Sequence, residues 1–141
     1  MELTIRYYQS ADYQMLINLL KNVYDSHVDQ EVLEKKYISD NRSILVAVTG
    51  DDILVGCSFL EVQEDFIRPL RILYVTYVAV DKDFRKHGIG RKLFERIESF
   101  GKQESCSVIE LTSADFRTEA HAFYNNLGFT KKKTTLFIKE L

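Results

Sequence analysis

Two rhythms of apolar positions alternate along the chain. A period near two marks strands, and a period near 3.6 marks helices. Residues 2–8 (ELTIRYY) predict a strand. Ser10 stands where a helix cap belongs, and Met15, Leu16, Leu19, Leu20 and Val23 form one stripe of a helix over 11–24. A shorter helix is expected over 30–39, with Val32, Leu33 and Tyr37 inward. Residues 43–49 (SILVAVT) and 53–62 (ILVGCSFLEV) flank Gly50-Asp51-Asp52, the pattern of a β-hairpin. A polar loop over 63–69 leads into 70–80 (LRILYVTYVAV), β-branched and aromatic enough for a long buried strand. A charged loop over 81–87 precedes a helix running from Gly88 to about 103, with Ile89, Leu93, Phe94, Ile97 and Phe100 inward. Val108–Thr112 reads as a short strand and 117–127 as a helix. Its set Ala120, Phe123, Tyr124 and Leu127 has i, i+3, i+4, i+7 spacing, and Gly128 occupies a left-handed cap position. Residues 129–139 predict a closing strand. The order β-α-α-β-β-β-α-β-α-β implies an α/β domain with a mixed sheet.

Composition narrows the classes. The 141 residues suit one domain, 1–141, with no second substrate domain. Apolar residues make up 45%, charged residues 28%, and there is one proline, so disorder is not expected. The net charge of −2 argues against a dedicated nucleic-acid binder. Cys57 and Cys106 are 49 positions apart with no Cys-x-x-Cys or His pair beside them, so no metal site is expected. Free thiols, no leader-like start and no membrane-length apolar run lead to the expectation of a cytoplasmic, membrane-free protein.

The chemistry concentrates at Val78-Ala79-Val80-Asp81-Lys82-Asp83-Phe84-Arg85-Lys86-His87-Gly88-Ile89-Gly90-Arg91. A buried strand ends, a basic loop follows, and glycines open a helix. Residues 82–92 hold five Lys/Arg and one acid, a concentrated positive spot. Helix N-termini present unpaired N–H groups, and glycines allow close backbone approach, so the natural ligand is a phosphate or pyrophosphate. An ordinary solvated helix start would look similar. A P-loop fails because Gly90-Arg91-Lys92 lacks the earlier glycine and the Ser/Thr. A dinucleotide loop fails because Leu93 stands in place of the third glycine and a seven-residue charged loop replaces the tight turn. Glu110 alone mimics the ribose-binding acid.

Arg85-Lys86-His87-Gly88-Ile89-Gly90 fits R/Q-x-x-G-x-G/A, and the chain resembles the GNAT superfamily of N-acetyltransferases there. Ala120-His121-Ala122-Phe123-Tyr124-Asn125-Asn126-Leu127-Gly128-Phe129 looks like that family's A-x-x-F-Y-x-x-x-G-F ending, and the element order agrees from residue 2 onward. Arg117-Thr118-Glu119-Ala120-His121-Ala122-Phe123-Tyr124 looks like the R-x-x-A-H-x-F-Y branch, which includes aminoalkylphosphonate acetyltransferases. The resemblance implies a single-domain fold whose central, mostly antiparallel sheet is splayed between strands 4 and 5, with helices on both faces. It implies acetyl-CoA as co-substrate, no metal, and direct attack of an amine on the thioester.

Residue by residue, the resemblance implies that amides from Arg85, Lys86, His87, Gly88, Ile89 and Gly90, with Arg91, wrap the pyrophosphate. Pantetheine would lie along Val78, Ala79 and Val80, with the Val80 N–H as oxyanion donor. Tyr124 would protonate the leaving thiolate, although spacing alone places it in the apolar stripe of its helix. Two departures stand out. Arg117 replaces an asparagine common in relatives, and Thr76 sits where some relatives carry a catalytic Glu. Glu61, Glu110, Asp115 and Tyr77 are base candidates by position only. His121 reads as helix surface, the cysteines as small apolar residues, and Lys131-Lys132-Lys133 as a solvated turn or edge protection. The first two helices and the 63–69 loop would form the acceptor pocket, where Asp25 and Asp29 could attract a cation or merely solvate a loop. The expected acceptor is a small-molecule amine. A protein amino group and a non-catalytic acyl-CoA-binding module are the alternatives, and a homodimer is possible.

Overall fold

The computed structural model describes residues 1–141, which divide into two compact units, Met1–Leu111 and Thr112–Leu141. The first unit is built on a five-stranded sheet in the order β1-β2-β3-β4-β5. Its strands are β1 (Leu3–Tyr7), β2 (Arg42–Thr49), β3 (Leu54–Asp65), β4 (Leu70–Val80) and β5 (Val108–Glu110). All neighbours are antiparallel except β4 and β5, which are parallel. The mixed, mostly antiparallel sheet is therefore the expected one.

β2 is an inner strand of the sheet, and its run Ile44–Val48 is buried without alternation, as a strand covered on both faces requires. One cover is α1 (Tyr13–Tyr24) with α2 (Gln30–Tyr37). Leu16, Leu19, Leu20 and Leu33 from these helices pack on Ile44, Val46, Val48, Cys57, Phe59 and Ala79. The other cover is α3 (Ile89–Gln103), whose Ile89 packs with Ala47, Val55, Leu3, Ile5 and Val80. Gly56 sits beneath that helix start. A Cβ there would meet Ala79 O at 3.2 Å and Ile89 Cγ2 at 3.4 Å, so the missing side chain brings helix and sheet together.

Several expectations shift by local chemistry. Ser10 does not cap α1; its hydroxyl donates to Glu34 Oε1 at 2.6 Å, and a 3-10 turn over Ser10–Asp12 leads into the helix. Met15 and Val32, expected inward, are more than a third exposed, because Leu16, Ile17 and Leu33 take the core-facing arc. The 50–52 turn forms a hairpin with Asp52 at φ 60°, a conformation aspartate tolerates, and β3 begins at Leu54. β3 also runs on through residues 63–65, expected as loop, because they pair with Leu70–Ile72. β5 is only three residues long, ending at Glu110.

The second unit contains α4 (Thr118–Asn126). Gly128 follows at φ 93°, and the Phe129 N–H donates back to Tyr124 O at 3.0 Å, the expected left-handed ending. The strand expected over 129–139 is not formed: residues 129–141 carry no helix or strand. A strand exists only as part of a ladder, and this unit holds no second strand for these residues to join.

The entry into α1 is locked by one buried charge. Asp12 is 4% exposed and accepts from Arg6 Nη1 and Nη2 at 2.8 and 2.9 Å and from the Gln9 N–H at 2.8 Å. The Arg6 guanidinium, with the Gln9 N–H, holds its carboxyl below the usual range. Such a depressed carboxylate stabilises the fold above its unfolded value, and that stability is lost as pH falls through the lower folded value. Asp12→Ala should lower unfolding free energy by about 2 kcal/mol in urea titrations at neutral pH, by leaving Arg6 unpaired. The difference from the parent should shrink in acid.

Candidate functional site

β4 carries an irregularity near its C-terminal end. Cys57 faces Ala79 across the β3–β4 ladder, but Phe59 faces Thr76, so β4 holds one extra residue there. Tyr77 absorbs it at φ 50°, an uncommon conformation for an aromatic residue. Beyond the bulge the backbone directions are fixed. The Asp81 N–H donates to Val55 O at 2.8 Å, so residues 81 and 79 turn their polar backbone groups toward β3. Val78 and Val80 therefore turn theirs to the opposite edge. On that edge β5 pairs only with Ile72–Tyr74, which leaves the β4 backbone open from 75 to 80. This is the splay between strands 4 and 5. One group already uses the gap: Tyr24 Oη donates to Val78 O at 2.7 Å.

The loop that follows is built to aim N–H groups. Asp81 closes it from below, its carboxylate accepting from the Asp83 N–H at 2.9 Å and its carbonyl from the Phe84 N–H at 2.9 Å. Arg85 is extended, Lys86 is left-handed at φ 67°, and Gly88 is left-handed at φ 76°. The two left-handed residues bend the loop sharply just before the helix start. α3 starts directly afterward, and its first turn adds unpaired N–H groups and a partial positive charge. The Ile89 side chain is 2% exposed and anchors the turn, whereas Arg85, Lys86, His87 and Arg91 are exposed. Nothing lies within 4 Å of a Cβ built on Gly88, so φ, not space, requires glycine there.

In its own unit Tyr124 rests edge-on between Phe123 and Phe129, at ring separations of 5.6 and 5.8 Å. Burial pushes its phenol up from the ordinary value, against the opposing charge of Arg117. The phenol therefore stays protonated at neutral pH, as an acid must.

The base candidates separate. Glu110 accepts from Arg68 at 3.2 Å. Glu61 accepts from Arg42 Nε at 3.1 Å and from Gln63 Nε2 at 3.0 Å. Tyr77 belongs to a run of rings: Tyr37 on Phe59 at 5.6 Å, Phe59 on Tyr77 at 5.3 Å, and Tyr77 on Tyr24 at 5.8 Å. Asp115 lies in the second unit. The sequence marked the first two helices as pocket walls and Tyr37 as inward, but did not single out Tyr24, Lys36, Phe59 or Arg42. Tyr24 lies just before the 25–29 segment, and nothing in its helical spacing marks a contact with residue 78. The thiols are poor nucleophiles, since burial pushes Cys57 up to about 12 and also raises Cys106.

The Acetyltransferase (GNAT) family matches residues 6–129. The chain belongs to the GNAT acetyltransferase family. Among curated proteins, this GNAT chain is 26% identical over 110 residues to N-acetyltransferase 8 of Homo sapiens, covering 77% of this chain and 48% of that protein. The chain thus spans about half the length of the curated relatives it matches. Among solved structures, AAC(6')-Iy in complex with a CoA-containing bisubstrate analogue has TM-score 0.87 and 16% identity, covering 100% of this chain and 99% of that one. Glucosamine-6-phosphate N-acetyltransferase of Arabidopsis thaliana has TM-score 0.83 and 20% identity, covering 99% of each. These structures share the GNAT fold. No helix of the chain is long and apolar enough to cross a membrane.

The two thiols give a check on the packing of the open edge, because Cys57 lies beneath the bulge with Sγ 3.4 Å from Tyr77 O. In native protein a neutral alkylating reagent should modify Cys106 and spare Cys57, with denaturant removing the difference. Peptide mass spectrometry reads the ratio, and early labelling of Cys57 would contradict its burial.

Proposed function

We propose that the chain transfers acetyl from acetyl-CoA to a small-molecule amine by direct attack. The observation that carries this reading is one continuous stretch, Val78–Arg91, joining an open strand edge to a left-handed basic loop at a helix start. The open edge suits the two amides of a pantetheine arm, which would pair with Val78 and Val80 as a short added strand. The basic loop from Arg85 to Gly90, the helix start behind it and the Arg91 charge suit a pyrophosphate. Family membership supports the same assignment.

In the reaction the amine nitrogen bonds to the thioester carbon, and charge collects on the carbonyl oxygen. The Val80 N–H would hold that oxygen, fixed by the ladder rather than reoriented from water. The carbon–sulfur bond then breaks, and Tyr124 would donate its proton to the departing thiolate. The amine must lose one proton, and water can carry it away, since neither Glu61 nor Glu110 is free of an arginine. A cavity of about 330 Å³ beside β4 is of a size that holds a small molecule, which supports such an acceptor.

The test is acetyl-CoA turnover over a panel of amines. Tyr124→Phe should lower kcat about 100-fold with CoA affinity unchanged within twofold, the size expected for losing a general acid. An acid is lost as pH rises through its pKa. With the Tyr124 pKa raised, the alkaline fall in kcat belongs above the ordinary tyrosine value of about 10. Unchanged turnover in Tyr124→Phe would remove Tyr124 as the acid. Tight CoA binding with no turnover on any amine would instead indicate an acyl-CoA-binding module.

A further inference from the structure

The cavity beside β4 is lined by Lys36, Tyr37, Arg42, Glu61 and Thr76, all in the first unit. Its charges are two cations and one carboxylate. Both carboxylate oxygens are engaged, Oε1 by Arg42 Nε at 3.1 Å and Oε2 by Gln63 Nε2 at 3.0 Å. Arg42 is held in place by that contact and by donating from Nη1 to Lys36 O at 2.8 Å, at the C-terminal end of α2. A guanidinium has five N–H donors, so most of the Arg42 fork remains to be used. The Lys36 side chain is exposed at the rim. The pocket thus offers an anion a fixed arginine fork and an exposed ammonium, and it offers a second ammonium only a carboxylate already engaged by Arg42.

Tyr37 also lines a narrower recess of about 70 Å³, together with Phe59, Tyr77 and Tyr24. The edge-to-face run Tyr37–Phe59–Tyr77–Tyr24 leads from the charged pocket to the hydroxyl that bonds Val78 O at 2.7 Å. The two recesses share Tyr37: one is polar and cationic, the other aromatic and bordered by Tyr24 and Tyr77. Thr76 and Val78 lie on either side of the Tyr77 bulge.

We infer that the acceptor is an amine that also bears an acid group, a carboxylate or a phosphate-type anion, several ångströms from its nitrogen across an apolar body. Lys36 and Arg42 take the acid, the rings take the body, and the amine reaches toward Val78 and Val80. This rests on the acetyltransferase reading above and adds the charge class of its substrate. It sets the chain apart from a site for polycationic amines, which needs unpaired carboxylates.

The test uses probes of one shape that differ in the distal group: para-(aminomethyl)benzoate, its neutral amide para-(aminomethyl)benzamide, and the diamine para-xylylenediamine, with para-(aminomethyl)phenylphosphonate as the phosphate-type arm. At low salt, kcat/KM for either acid should exceed that of the diamine about 10-fold, with the amide between, and added salt should narrow the spread. Lys36→Glu places the change on an exposed side chain and should reverse the order while leaving KM for acetyl-CoA unchanged. Equal or better turnover of the diamine by the parent, or an order unmoved by Lys36→Glu, overturns the inference. Bound acetyl-CoA with no transfer to any probe overturns it as well, whereas failure to bind acetyl-CoA overturns the acetyltransferase reading beneath it.

Discussion

β4 is asked to pair on both edges along its whole length, and it does so for only three residues. Ile72–Tyr74 are held between β3 and β5; past them the β5 partner ends while β4 continues to Val80. An unpaired backbone edge is ordinarily a liability, because its N–H and C=O groups invite any extended chain. Here the bulge at Tyr77 and the cover from α1 limit what can approach, and the Tyr24 hydroxyl already satisfies the Val78 carbonyl. The basic loop, the start of α3 and the aromatic recess are all positioned from this one interrupted ladder. The loop begins where β4 stops, and the recess borrows Tyr77 from the bulge itself.

Electrostatics divides the first unit into two cationic places with different physics. The loop over 82–92 presents backbone N–H groups at a helix end, with exposed charged side chains around them. The cavity near α2 acts through one guanidinium fixed by two hydrogen bonds. A net charge of −2 reports neither, because opposing charges elsewhere cancel both in the sum.

Most of the scaffold was legible in the sequence because it depends on local patterns. β4 and α3 carry continuous or strictly periodic apolar residues, and both lie within a residue of the expected spans. Gly128 announced a left-handed position that the backbone adopts. What escaped was non-local. The Tyr77 bulge depends on a register offset between two strands, and Ser10 chose Glu34 over its own helix because α2 packs nearby. The pairing of Arg42 with Glu61, and the line of four rings, follow from neighbouring strands and helices that no spacing rule connects. The strand expected at 129–139 fails for the same reason: β propensity in Thr134–Ile138 states a preference, but pairing needs a partner.

Gly56 couples places that look unrelated along the chain. With 3.4 Å between its imagined Cβ and Ile89, and 3.2 Å to the Ala79 carbonyl, any side chain at that position acts as a wedge. It would lift the first turn of α3 and press on the open edge in one movement, although residue 56 belongs to neither. The site therefore has a tuning screw on its far side. Drift at that position would disturb the start of α3 and the end of β4 together, with every residue of the loop between them left intact.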